Sequence, residues 1–107
     1  MDTIKHIQLE QTTQFVRWLK GLKDLRAKAA IVWRLKEMSA GHWGDAKSVG
    51  GGVSELRLHL GPGYRVYFMR RGEHFVLLIA GGDKSSQSRD IAKAKVLAKE
   101  YLNEQNN

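Results

Sequence analysis

Three basic side chains in the segment 55–68 have the types and spacing to bind an anion together. The segment contains two stretches of alternating apolar and polar residues, which predict two antiparallel strands joined by Gly61-Pro62-Gly63. Because side chains alternate between the two faces of a strand, Arg57, His59 and Arg65 are expected on one face. Cations facing each other across a sheet repel by roughly 0.2–1 kcal/mol per pair. The cluster therefore indicates an anionic ligand, for which phosphate is the obvious candidate.

The other face of this predicted hairpin is apolar. With residues 61–63 as the connection, antiparallel pairing sets Leu60 opposite Tyr64, Leu58 opposite Val66 and Leu56 opposite Phe68. This face is predicted to lie in the core, so the side chain of Arg65 is expected to point outward. The outward face also carries three side chains that are not basic, namely Glu55, Tyr67 and Met69.

Two consecutive helices are expected to pack on the sheet that contains this hairpin. Apolar residues at three- and four-residue spacing predict a first helix, which Thr12 or Thr13 caps and which ends near Gly21. Asp24 is expected to cap a second helix that runs to about Met38. Because few residues separate the two helices, they should form an antiparallel hairpin. The predicted apolar stripe of the second helix is Leu25, Ala29, Val32 and either Leu35 or Trp33.

The other strands and a long loop follow from simpler patterns. Residues 3–9 alternate weakly and predict a first strand with Ile7 and Leu9 directed inward. Residues 75–80 form a nearly continuous apolar run, which is typical of a buried central strand. The glycine-rich segment 41–52 is predicted to be a loop.

A last helix is predicted to begin at Ser85 or Ser86. Its expected inner face is Ile91, Ala94, Ala98 and either Tyr101 or Leu102. The predicted elements together describe a single α+β domain over residues 1–107, with no repeat or linker.

The composition favours an acidic partner. The 107 residues include 18 Lys and Arg against 11 Asp and Glu, a net charge of +7, so nucleic acid is the expected partner and a membrane surface the weaker alternative. No apolar run is long enough to span a membrane and the first residues lack the apolar core of a signal peptide, so a cytoplasmic location is expected. Cysteine is absent and the four histidines lack ligand spacing, so neither a metal site nor a cofactor is predicted.

Several motifs in sequence order resemble the RelE/ParE superfamily of bacterial toxins, and within it the HigB-like branch of phage-derived addiction module killer proteins. The resemblance covers nearly the whole chain. It implies the order β-α-α-β-β-β-α, with the helical hairpin and the C-terminal helix around a small antiparallel sheet. The motifs are Lys47-Ser48-Val49-Gly50, the run from Gly52 to Arg57, the run from Gly61 to Phe68, and the run from Gly81 to Gln87.

The resemblance implies the toxin of a type II toxin–antitoxin module. Such toxins are metal-independent mRNA endonucleases that drive the RNA's own 2′-hydroxyl onto the adjacent phosphate, usually on ribosome-bound mRNA, and thereby inhibit translation. A cognate antitoxin, commonly a helix-turn-helix protein encoded immediately downstream, neutralises them. Two other functions stay open at this point. One is a ParE-like inhibitor of DNA gyrase without nuclease activity, and the other is a non-catalytic basic module that binds RNA.

Four basic residues take roles from this resemblance. Arg65 matches the strand arginine of the family, and its planar fork suits bidentate contact with the phosphate of the transition state. Arg57 stands where the family has a catalytic strand lysine, and because a guanidinium does not deprotonate readily, it is expected to stabilise charge. Lys84 lies near the second catalytic basic residue of the family, and Lys47 is expected to be a further phosphate contact.

The chain departs from the RelE pattern in two respects. The C-terminal tyrosine that stacks on the substrate base in RelE-type toxins has no counterpart before Tyr101, so Tyr67 or Trp43 is expected to stack instead. Glu55 replaces another strand lysine of the family. Glu55 and His59 are therefore expected to supply the general base and the general acid.

Overall fold

A computed structural model describes residues 6–105, which have an α+β architecture of three α-helices and a five-stranded mixed sheet. The α1–α2 hairpin covers one face of the sheet and α3 covers part of the other. The elements are β1 (Gln8–Gln11), α1 (Thr13–Gly21), α2 (Leu25–Ser39), β2 (Ala46–Gly50), β3 (Val53–Leu58), β4 (Tyr64–Arg71), β5 (Phe75–Gly82), a 3₁₀ turn (Lys84–Ser86) and α3 (Gln87–Gln105).

The strands lie in the order β1-β5-β4-β3-β2. Strand β1 runs parallel to β5, whereas the other neighbouring pairs are antiparallel. The prediction of an antiparallel sheet is therefore wrong at this edge, because the alternation of side chains specifies the faces of a strand but not its direction. The parallel pairing is possible because the helical hairpin and three strands separate β1 from β5 in the chain.

The glycine-rich segment 41–52, predicted to be a loop, contains the edge strand β2, which adds a strand to the predicted order. Lys47 of β2 pairs with Glu55 of β3. Gly51 and Gly52 make the connecting turn with φ angles of 62° and 79°, which glycine adopts without a Cβ clash. Pairing with β3 supplies backbone hydrogen bonds that outweigh the low strand propensity of the segment, so propensity alone misses this strand.

The first strand lies further along the chain than predicted. It begins at Gln8, whose backbone N–H donates to the carbonyl of His74. Ile7 is buried and Leu9 packs against the same core cluster, as the alternation predicts. Residues 3–5 of the predicted strand lie outside the described residues.

Both helices of the hairpin begin at the predicted caps. The hydroxyl of Thr12 accepts a hydrogen bond from the backbone N–H of Phe15 at 3.0 Å. The carboxylate of Asp24 accepts from the N–H groups of Arg26 and Ala27 at 3.0 and 3.1 Å. These contacts satisfy N–H groups that the first turn of a helix leaves without partners.

The predicted apolar stripe of α2 is largely wrong. Leu35 is buried as expected, but Leu25, Val32 and Trp33 are 73%, 39% and 62% exposed. The α2 sequence contains two overlapping apolar patterns at helical spacing, and only contact with the sheet decides which one is covered. The buried face of α2 is Ala27, Ile31, Leu35 and Met38.

The register of the β3–β4 hairpin differs from the predicted one by two residues. Leu58 pairs with Tyr64, Leu56 with Val66, and Arg57 with Arg65. Because a shift of two positions preserves the face of every side chain, the predicted division into two faces is confirmed. The connection is consequently longer and spans 59–63, so His59 follows the strand instead of belonging to it.

The two faces of the sheet each have a core. The α1–α2 side buries the apolar face of the hairpin, as predicted. The opposite side is not simply polar, because α3 covers part of it and buries Tyr67 and Met69 together with Ala94 and Ala98. Of the helices in the described ranges, none is long and apolar enough to cross a membrane.

Substitutions on the two sides of α2 should distinguish its faces. Ile31→Ala is expected to lower the free energy of unfolding by about 2–5 kcal/mol because it opens a cavity in the core. Leu25→Ala should change it by about 0.5 kcal/mol or less, since this side chain is exposed. Urea unfolding followed by far-UV circular dichroism measures both. Equal effects of the two substitutions would contradict the orientation of α2.

Candidate functional site

An open cleft lies where the end of β3, the start of β4 and the turn after β5 meet. The structure brings four of the predicted site residues to it, namely Arg57, His59, Arg65 and Lys84. Residues 60–63 of the hairpin connection complete its lining. The cleft volume of ≈ 680 Å³ falls in the range of about 300–1,000 Å³ that is usual for small-molecule sites.

Arg65 is held rigidly in this cleft. Its Nη1 donates to the carbonyl oxygen of Gly63 at 2.7 Å, and its Nε lies 3.5 Å from Oε2 of Glu55. Arg65 lies on the expected outward face, but it is only 8% exposed because its side chain is largely covered there. It is the second residue of β4 and lies beside the turn. Its buried Nε has no hydrogen-bond partner among the residues that the structure describes.

Glu55 is fully buried beneath the two arginines. Its Oε1 accepts from Nε of Arg57 at 2.9 Å, and its Oε2 accepts from Nε2 of Gln87 at 2.8 Å. Burial acts to raise the pKa of Glu55, but the hydrogen bonds from Arg57 and Gln87 and the charge of Arg65 outweigh it, and the net shift is downward. Glu55 is thus an ionised anchor with no surface for a substrate, which argues against its predicted role as a general base or acid.

The same carboxylate explains how two arginines can stand opposite each other. Arg57 and Arg65 are direct partners across β3 and β4, where like charges repel. Glu55 lies within ion-pair distance of both guanidinium groups. The repulsion between the two arginines, from which the sequence predicts a bound anion, is therefore partly compensated by Glu55. The arginines are positioned before any ligand binds.

His59 is paired with Asp45, a residue that the sequence did not single out. The Nε2 of His59 and Oδ2 of Asp45 are 2.6 Å apart. The pKa of Asp45 is lowered, chiefly by this hydrogen bond. The backbone carbonyl of Asp45 also accepts from the N–H of Arg57 at 2.9 Å, so the start of β2 is tied to β3. No spacing pattern connects Asp45 with His59, because strand pairing alone brings them together.

Lys84 approaches the cleft from the turn that follows β5. Its backbone N–H donates to the carbonyl of Pro62 at 3.3 Å, and its exposed side chain lines the cleft. Gly63 lies between the cations with a φ angle of 81°. A Cβ added there would be 3.2 Å from Nη1 of Arg65 and 3.4 Å from Cβ of Lys84, so glycine allows the two cations to approach.

Gln87 is the second site residue that sequence reasoning missed. It is the first residue of α3, and its amide reaches Glu55, 32 positions earlier in the chain. It lies in the Gly81 to Gln87 motif, which is the only signal for it in the sequence. Its role depends on how α3 is placed against the sheet.

The predicted base-stacking residues are not in the cleft. Tyr67 is completely buried under α3, so it is wrongly predicted as a stacking platform. Burial, assisted by the charge of Glu55, raises the pKa of its hydroxyl. Trp43 lies on the opposite side of the sheet, where its ring stacks on Phe68 at 5.8 Å and the guanidinium of Arg70 lies 4.1 Å from the ring centroid. Trp43 is only partly buried there and does not line the cleft, so its role in base stacking stays a prediction.

Lys47 lies on the edge strand, exposed and next to the site. As the direct partner of Glu55, it shares the face of the sheet that carries Arg57. It does not line the cleft itself. Its role as a further phosphate contact stays a prediction.

The fold and the cleft define a small α+β protein with a preorganised cationic site. No family model matches the chain. A protein of Haemophilus influenzae strain Rd, described as an uncharacterized protein, is 50% identical over 94 residues, which cover 88% of this chain and 95% of that protein. The chain therefore belongs to the same family as this Haemophilus protein.

The pH dependence of stability should report on Glu55. Because its pKa is below its ordinary value of 4.5 in the folded protein, its contribution is complete above that value and is lost as the pH falls through the lower, folded-state pKa. Glu55→Gln should cost about 1–3 kcal/mol at neutral pH, since Arg57 and Arg65 lose their anion. The variant should also lose this part of the acid sensitivity.

Urea unfolding over a series of pH values measures this effect, with the exposed Glu73→Gln as the matched control. Glu73→Gln should keep both the stability at neutral pH and the acid sensitivity. If Glu55→Gln has the same profile as wild type, Glu55 is not the ionised anchor.

Proposed function

We propose that the protein is a RelE/ParE-superfamily toxin of the HigB-like branch, an endoribonuclease that cleaves mRNA on the ribosome in the cytoplasm. Its partners are then mRNA, the ribosome and a cognate antitoxin. The observation that carries the proposal is the convergence of Arg57, His59, Arg65 and Lys84 on one cleft. Arg57, Arg65 and Lys84 belong to three separate motifs in the sequence, and the resemblance assigns each of them to charge stabilisation at the phosphate. His59 lies outside these motifs, and its proton-transfer role comes from the way the chain departs from the RelE pattern.

The fold is compatible with this assignment but has an additional element. The two helices α1 and α2, the antiparallel β3–β4–β5 unit and the closing α3 support the proposal, because the resemblance also implies these elements. The chain adds β2 as an edge strand. None of the residues of β2 lines the cleft, so the added strand does not obstruct it, and Asp45, which contacts His59, lies immediately before this strand.

The proposed reaction is transesterification within the RNA. The 2′-oxygen forms a bond to the adjacent phosphorus, and the bond from phosphorus to the 5′-oxygen of the next nucleotide breaks. A proton leaves the 2′-hydroxyl and another reaches the departing 5′-oxygen. The phosphate gains negative charge in the transition state, and fixed cations that face it stabilise that charge without reorganisation.

The arginines are suited to this task because their geometry is set in advance. Arg65 is fixed by Gly63 and Glu55, and Arg57 by Glu55, so little side-chain entropy remains to be lost on binding. Lys84, which is exposed, would neutralise the phosphate or the leaving oxygen from the other side of the connection. Glu55 acts in this scheme as a positioning residue.

His59 is the group in the cleft best suited to proton transfer. An imidazole can accept or donate a proton near neutral pH, whereas the neighbouring guanidinium groups cannot. Asp45 engages Nε2 of His59 and leaves Nδ1 for the substrate. In this scheme Asp45 acts through His59 by holding the ring in position.

Loss of the Lys84 side chain should slow cleavage without disturbing the fold. Lys84→Ala is expected to reduce cleavage by about 10²-fold, because one fixed charge is lost from the transition state. Mapping of RNA 5′ ends after brief induction measures the effect. Lys99→Ala, an exposed lysine of α3, is the matched control and should cleave as wild type does.

Arg65→Ala is less informative than Lys84→Ala, because it also removes the contact that holds the Gly63 carbonyl. Gyrase-dependent supercoiling is followed in parallel. Unchanged RNA with altered supercoiling would reject the nuclease and favour the gyrase inhibitor. If neither the RNA nor the supercoiling changes, both of these functions are rejected and the non-catalytic RNA-binding module is the hypothesis that remains.

The His59–Asp45 pair should behave as one unit in kinetics. His59→Gln is expected to lower kcat by about 10²–10⁴-fold, and Asp45→Asn by less. The double variant should be no slower than His59→Gln alone, since Asp45 acts only through the imidazole. Single-turnover cleavage of a model mRNA measures these rates. Multiplicative losses in the double variant would show that Asp45 acts independently of His59.

A further inference from the structure

The outer face of α2 exposes an apolar stripe that the fold leaves uncovered. Trp33 is 62% exposed, Leu25 is 73% exposed and Val32 is 39% exposed. Together with Ala29 they line a shallow groove that Lys28 and Lys36 border. A contiguous exposed apolar patch with a polar rim is typical of a surface that binds another protein.

This stripe continues into the cationic cleft. Trp33 also lines a second groove, whose apolar lining includes Leu58 and Leu60. The same groove reaches Arg57 and His59, which line the cleft itself. One unbroken surface therefore leads from the outer face of α2 to the proposed catalytic groups.

The charges of α2 restrict what can cover the stripe. The helix carries four basic residues against the single acid Glu37, which pairs with Arg34 at 3.1 Å. A second copy of the chain packed symmetrically on this face would bring these cations together. The phosphates of RNA could pair with these cations, but they would not cover the apolar side chains of Leu25 and Val32. The basic residues are Arg26, Lys28, Arg34 and Lys36.

We propose that the α2 stripe is the docking site for an acidic amphipathic helix of a partner protein. The apolar side chains of that helix would cover Trp33, Val32 and Leu25, and its carboxylates would face Lys28 and Lys36. The helix would continue along the Trp33 groove and bring an acidic residue to Arg57. Docking stands independently of the nuclease, whereas the consequence that docking blocks RNA rests on the proposed function.

Direct binding tests this site on the full chain. The probe is a designed, fluorescein-labelled helical peptide of about 18 residues, with leucine on one face and glutamate elsewhere. Fluorescence anisotropy gives its Kd. Trp33→Glu should weaken binding by about tenfold or more, because it places a carboxylate in the apolar groove. Val96→Glu is the control, because Val96 is a similarly exposed apolar residue, at 57%, but lies on α3. This variant should bind the peptide as wild type does.

Two further probes test which kind of molecule binds the stripe. A peptide with lysine in place of glutamate should not bind, and a short single-stranded RNA should bind Trp33→Glu as well as wild type. No binding of the acidic peptide, equal loss in both protein variants, or equal binding of the lysine peptide would overturn the docking site. Loss of RNA affinity in Trp33→Glu, with peptide affinity unchanged, would assign the stripe to RNA instead.

A cleavage assay separates the two proposals. If both hold, the acidic peptide inhibits mRNA cleavage by wild type, and Trp33→Glu cleaves but escapes inhibition. Peptide binding without any RNA cleavage would reject the nuclease and keep the docking site. Normal cleavage with no peptide binding would reject the docking site and keep the nuclease.

Discussion

The buried carboxylate of Glu55 is the interaction on which the site depends. It accepts hydrogen bonds from Arg57 and Gln87 and lies within ion-pair distance of Arg65, so it joins β3, β4 and the start of α3 through one side chain. Without this anion two arginines would oppose each other across the sheet at a cost in free energy. With it, they form a fixed pair of donors beside the open cleft.

The placement of α3 divides the same sheet face into a core and a cleft. Where Ala94 and Ala98 pack on the strands, Tyr67 and Met69 become core residues. The helix begins at Gln87, so the sheet beyond that point is uncovered and its arginines line a cleft. Lys84 lies in the turn that leads into the helix. The helix therefore buries one part of this face and sets the boundary of the other.

Much of the candidate site could be predicted because it depends on alternation along two strands. Because side chains alternate along each strand, Arg57 and Arg65 lie on one face even if the predicted strand register is in error by an even number of residues. The predicted register was wrong by two residues and still gave the correct faces. Aromatic roles could not be predicted in this way. Whether Tyr67 or Trp43 meets solvent or core depends on which helix covers it, and no local pattern carries that information.

By itself the sequence determined the helix cap at Asp24, a threonine cap at Thr12 or Thr13, the two faces of the β3–β4 hairpin and its positive charge, because these depend on residue type and short-range spacing. Tertiary structure decided which stripe of α2 is covered, the direction of β1, the existence of β2 and the pairing of His59 with Asp45. Each of these depends on contacts between segments far apart in the chain. Burial and charge compensation at such contacts arise only when the elements pack.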